Sequence, residues 1–211
     1  MTTTGPPRTT GWRERLGGAL FLVTGAALVV HILVGLPLWL TVFGGIAMAT
    51  SIYLWAGPAV NPLVARRIRL GLVSGAVATV CYDSARMLFV TLTDASVRPF
   101  DTWRLFGLAL VGPGAAHWAY WAAGTAYHVT NGLLFAVAYT IWFADRGPLW
   151  GIGYAMVLEA FMLGLFPGWA HVKAFGEFTQ MSVLGHVVYG AVLGFLARRL
   201  TRVPRVEVST P

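Results

Sequence analysis

A polar, Pro/Thr-rich stretch from Met1 to Glu14 gives way to a continuous apolar run from about Gly17 to Val60. The run is too long for one helix. Pro37 divides it into two predicted spans, 17–36 and 37–57, because proline suits the first turn of a helix and disrupts its interior. The first span lacks an A-x-A cleavage pattern and a second follows at once, so it reads as a retained helix rather than a secretory signal. Arg66, Arg67 and Arg69 precede a third span at 70–92, followed by a polar loop from Thr93 to Arg104. The apolar stretch from Leu105 to Trp142 holds either one span with an extra segment or two spans. Two more spans are predicted at 148–166 and 181–199, joined by an outer loop from Pro167 to Gln180.

Charge position chooses between the two readings of 105–142. With a single span there, at 121–143, both termini face the cytoplasm. Arg8, Arg13, Arg15, Arg66, Arg67, Arg69, Arg146, Arg198, Arg199, Arg202 and Arg205 then lie inside, against Arg98, Arg104 and Lys173 outside. A seventh span would move Arg146 and the C-terminal arginines across the membrane, against the positive-inside rule. The predicted fold is therefore an all-α integral membrane protein of the cell membrane, a multi-pass bundle of six transmembrane helices over 17–200. Disordered cytoplasmic tails are expected at 1–16 and 201–211. The aromatic-rich segment 105–120, broken by Gly112-Pro113-Gly114, becomes an outer-face re-entrant or interfacial piece.

Composition agrees. Of 211 residues, 57% are apolar or aromatic and 11% are Asp, Glu, Lys or Arg, against roughly 25% charged in soluble domains. Six spans of ~20 residues leave no room for a separate soluble catalytic domain. The net charge of +7 does not indicate nucleic acid, because the arginines are scattered over short loops as topology signals, where they also meet anionic lipid head groups. Cys81 is the single cysteine, which excludes an intramolecular disulfide. Gly71-x-x-x-Gly75 and Gly190-x-x-x-Gly194 suit close helix packing, within the bundle or in a homo-oligomer.

An ionisable residue in the bilayer is costly and by default faces the bundle interior with a partner or a function. Six such residues fall inside the predicted spans: His31, Asp83, Arg86, His128, Glu159 and His186. At a rise of ~1.5 Å per residue they lie about 17–24 Å from the cytoplasmic end of each span, just outward of the midplane of a core ~30 Å thick. His128-Val-Thr-Asn-Gly and His186-Val-Val-Tyr-Gly repeat an H-V-x-x-G pattern, and each follows a span carrying one acid, Asp83 or Glu159. Spans three-plus-four and five-plus-six thus resemble a weak parallel repeat.

Two imidazoles and two carboxylates make a plausible first shell for Zn, Mn or non-haem Fe. Without a metal, Asp83 and Arg86 are expected to form an ion pair on one helix face, and a neutral Glu159 could act as a general acid. Arg86, Asn131, Tyr189 and Trp118 are expected to contact substrate, with segment 105–120 as a cover. Tyr82 and Tyr127 are expected to point away. The leading expectation is a membrane-embedded enzyme acting on a lipid or other hydrophobic small molecule through Asp83, His128, Glu159 and His186. The alternatives are a haem carrier using two of His31, His128 and His186, a proton-coupled transporter, and a non-catalytic accessory subunit.

Overall fold

A computed structural model describes residues 12–56 and 62–202. All the regular structure among them is helical: α1 (Trp12–Ala19), a 3-10 turn (Leu20–Leu22), α2 (Val23–Val34), α3 (Leu38–Ala56), α4 (Pro62–Thr93), α5 (Asp101–Val111), α6 (His117–Phe143), α7 (Pro148–Ala170) and α8 (Phe175–Arg202). The expected tails at 1–16 and 201–211 lie mostly outside the described residues. Residues 12–16 belong to α1, and residues 201 and 202 close α8.

The break expected at Pro37 is present, with Gly35 capping α2 in a left-handed conformation (φ 78°) two residues ahead of the proline. Elsewhere the helices are longer than hydropathy predicts. α4 begins at Pro62, and its N-terminal arginines reach the open carbonyls of neighbouring helix ends. Arg66 donates to Leu200 O and Thr201 O at 3.3 and 3.1 Å; Arg67 donates to Ile141 O and lies 3.5 Å from Asp145. Burial pushes the Arg67 guanidinium below its usual range, with Asp145 opposing. The expected loop 167–180 shrinks to residues 171–174, because α7 runs to Ala170 and α8 starts at Phe175. Within the segment 105–120, α5 ends at Val111 ahead of a break at Gly112 (φ 79°), and α6 opens at His117 rather than at 121.

Helices α6, α4, α8 and α7 pack side by side in that order, α5 lies on α6, and α2 pairs with α3. Glycines set the close approaches. A Cβ on Gly75 of α4 would lie 2.6 Å from Ala136 Cβ of α6, and one on Gly190 of α8 would run into the Gly151 backbone of α7. Both glycine faces proposed from the sequence are thus covered within the chain. The ends of the row, α6 and α7, meet only where Trp150 and Tyr154 of α7 pack on Tyr139, Trp142 and Phe143 of α6 and the Tyr154 hydroxyl donates to Phe135 O at 2.9 Å, and α2 meets both lightly.

The outer surface is apolar. Phe43, Leu54, Val80, Leu92, Leu149 and Phe161 are each more than 60% exposed, a surface suited to hydrocarbon and unsuited to water. Among the described residues three stretches, Glu14–Val34, Pro148–Gly168 and Phe175–Arg202, are long and apolar enough to cross a membrane, and Leu38–Leu54 is a shorter apolar helix.

Candidate functional site

The gap between α6 and α7 is a cavity of about 830 Å³, walled by α2, α4, α6, α7 and α8 and closed at one end by Thr102 and Phe106 of α5. Its walls are overwhelmingly apolar. The polar atoms gather on one floor.

On α4, Thr79, Tyr82 and Arg86 follow the i, i+3, i+7 spacing of one helix face, and all three line the cavity. Asp83 points off that face towards α6, where its Oδ2 lies 3.1 Å from His128 Nε2. A carboxylate oxygen accepts, so the neutral His128 ring carries its proton on Nε2. Glu159 of α7 is fully buried, with Oε2 3.0 Å from His186 Nδ1 of α8. That nitrogen also lies 2.9 Å from Ser182 O one turn back. Neither Glu159 oxygen has a hydrogen-bond partner among the described residues, so the His186 N–H is directed at the carbonyl. Because a carbonyl only accepts, the proton sits on Nδ1 and the Nε2 lone pair is free.

His128 and His186 line the cavity while their acids stand behind them. Tyr82 touches both rings, with centroids 5.7 Å from His128 and 5.1 Å from His186. Arg86 Cζ lies 5.2 Å over the same tyrosine ring. Gly185 leaves the room this cluster needs, since a Cβ there would meet Tyr82 at 2.7 Å and Arg86 Cγ at 3.1 Å. The expected Asp83–Arg86 ion pair is absent among the described residues, because Asp83 is engaged by His128.

Asn131 and Tyr189 also line the cavity, and the Tyr189 hydroxyl donates to Gly132 O at 2.6 Å, tying α8 to α6. Two expected site residues lie elsewhere. Trp118 is 73% exposed and outside the cavity; Trp103 of α5 stacks near His128 instead, centroids 5.0 Å apart. His31 is also off the cavity, its Nδ1 2.6 Å from Leu36 O at the end of α2. Among the described residues no three His, Cys, Asp or Glu side chains converge as a metal site requires, and no ring contact joins His128 to His186 directly.

Tyr82, expected to point away, lines the cavity, as do Thr79 and Ser182, polar residues not singled out from the sequence. Their signal is spacing: 79, 82 and 86 on one helix, 182, 186 and 189 on the other, each a polar stripe of helical period.

The arrangement defines a class, a helical membrane protein with a buried polar site in an apolar cavity. Comparison with models of known families, with characterised proteins and with solved structures finds no match for this chain.

Proposed function

We propose that this chain is a six-span membrane enzyme performing acid–base chemistry on a lipid or other hydrophobic small molecule. The observation that carries the reading is the pair of carboxylate-backed imidazoles on the floor of an apolar cavity, at 3.1 and 3.0 Å from their acids. In the proposed topology both termini are cytoplasmic, and α1 with α2, α3, α4, α6, α7 and α8 supply the six spans. Two features support it: the helices alternate in direction, and Arg15, Arg66, Arg67, Arg146 and Arg198 gather at one end of the bundle. There Trp142 Nε1 donates to Arg15 O, Arg146 stacks over Trp150, and Arg198 lies against Gly147.

In the proposed chemistry His186 Nε2 takes a proton from the reacting group, and Glu159 stabilises the imidazolium that forms. This is the role a buried acid plays behind a catalytic histidine. His128, backed by Asp83, is the second proton carrier, and Arg86 orients the substrate. The same two imidazoles and two carboxylates are the donors a metal-dependent version would use.

The test incubates purified protein with a total membrane lipid extract and follows every lipid species by mass spectrometry, alongside elemental analysis. Wild type should deplete one species, and His186→Asn should do so about 10²–10⁴-fold more slowly. No change in any species with folded wild type would sink the enzyme reading. About one metal per chain, lost in a folded His128→Ala/His186→Ala variant, would establish the metal-dependent form.

A further inference from the structure

We propose that the cavity binds an anionic amphiphile, a single long apolar chain bearing a carboxylate or phosphate, with its anion on Arg86 and its chain lying along α7. The proposal shares with the enzyme reading the premise that the cavity holds a ligand, and requires no chemistry there.

Arg86 is 2% exposed, yet no hydrogen bond or ion pair from the described residues engages its guanidinium, and Nε is buried without a partner. Removing a guanidinium from water without a counter-charge is costly, and the Tyr82 ring face offsets only part of that cost. Asp83 lies at His128 and Glu159 at His186, and among the described residues neither forms an ion pair with Arg86. The guanidinium fork matches carboxylate and phosphate oxygens two at a time. Ser182 of α8 also lines the cavity, and its hydroxyl is able to donate to an anion bound there.

Away from this floor the cavity is a slot for hydrocarbon. Its α7 wall runs from Leu149 to Phe166, about 25 Å at the rise of an α-helix, and Phe135 and Ile32 face it from α6 and α2. Val157 and Phe161 belong to both the wall and the outer surface, at 57% and 64% exposure. A chain-bearing ligand can therefore slide in between α2 and α7 without crossing the polar ends of the bundle. A neutral apolar ligand would fill the slot and leave Arg86 unpaired.

The test measures binding of radiolabelled hexadecanoate to the full-length protein in zwitterionic nanodiscs, with hexadecanol, hexadecyl phosphate and inorganic phosphate as comparators. Wild type should bind hexadecanoate or hexadecyl phosphate, whichever head group fits, at least about tenfold more tightly than hexadecanol. Arg86→Gln should erase that preference. Gly153→Trp should weaken binding of both chain-bearing anions while leaving Arg86 in place, because Gly153 lines the cavity and a Cβ there meets nothing within 4 Å. Equal affinity for hexadecanol, a preference retained in Arg86→Gln, or inorganic phosphate binding as tightly as the amphiphiles would each overturn the proposal. If Arg86→Gln fails to fold, the head-group comparison in wild type and the Gly153→Trp variant decide. Anion-selective binding without lipid turnover would uphold this proposal and remove the enzyme reading; turnover of a neutral lipid without anion preference would do the reverse.

Discussion

His128 and His186 meet their acids through opposite ring nitrogens, Nε2 in one and Nδ1 in the other. Amide side chains can mimic one nitrogen at a time: asparagine places its NH2 near the Nδ1 position and glutamine near Nε2. His186→Asn should therefore keep the link to Ser182 O and the native thermal midpoint while losing the free Nε2, and His128→Gln should keep the contact with Asp83. The swapped pair, His186→Gln and His128→Asn, should each lower stability by about 1–3 kcal/mol, because a buried polar partner is left unmet. Thermal unfolding of the four variants in one detergent checks this, and equal midpoints would show that the ring nitrogens are not wired as described. At this scale the sequence is informative about charge and poor about direction. Asp83, His128, Glu159 and His186 stand out because titratable groups are rare in apolar helices. The reading that Tyr82 points away assumed that Asp83 faces the site. Asp83 faces His128, and the 79–82–86 stripe takes the cavity instead.

The element scale is governed by glycine. Gly75 and Gly190 sit where α4 meets α6 and where α8 meets α7, and at Gly190 the obstacle is backbone, which cannot rotate away. Gly190→Val should cost about 1–3 kcal/mol by overpacking, whereas Gly164→Val on the open side of α7, where a Cβ meets nothing within 4 Å, should be nearly neutral. Calorimetry of the two variants would show the contrast, and equal losses would mean that the contact at Gly190 is looser than described. The motif spacing made these faces legible, but not which helix each would meet. Helix ends were less legible, for a physical reason. Hydropathy falls at Arg66 and Arg67, while helical hydrogen bonding continues, because those side chains cap the carbonyl ends of α8 and α6. At the opposite end Glu177 Oε2 accepts from Ser96 N, Ser96 Oγ and Val97 N at 2.8, 2.8 and 3.2 Å, holding the α4–α5 connection against the first turn of α8. Nothing in the local sequence of either partner announces a contact between residues so far apart.

For the whole molecule, the proposed topology makes a direct prediction. Reporters fused after Arg69 and Arg146 should read cytoplasmic, and one inserted within 93–104 external. An external reading after Arg146 would overturn the six-span arrangement. The resemblance between spans three-plus-four and five-plus-six also takes on a physical form. Each helix pair, α4 with α6 and α7 with α8, carries one acid–imidazole contact, and α4 packs broadly on α8. The matching contact between α6 and α7 is confined to the aromatic side chains around Tyr154, and the cavity occupies the rest of its place. A mouth on the side of the bundle changes what supply means for any guest. Its occupancy follows the guest's mole fraction among the surrounding lipids, not its solubility in water. Diluting the protein into empty vesicles would strip the cavity, whereas diluting the buffer would not. Detergents, being chain-bearing molecules themselves, would compete for the slot from the moment of solubilisation.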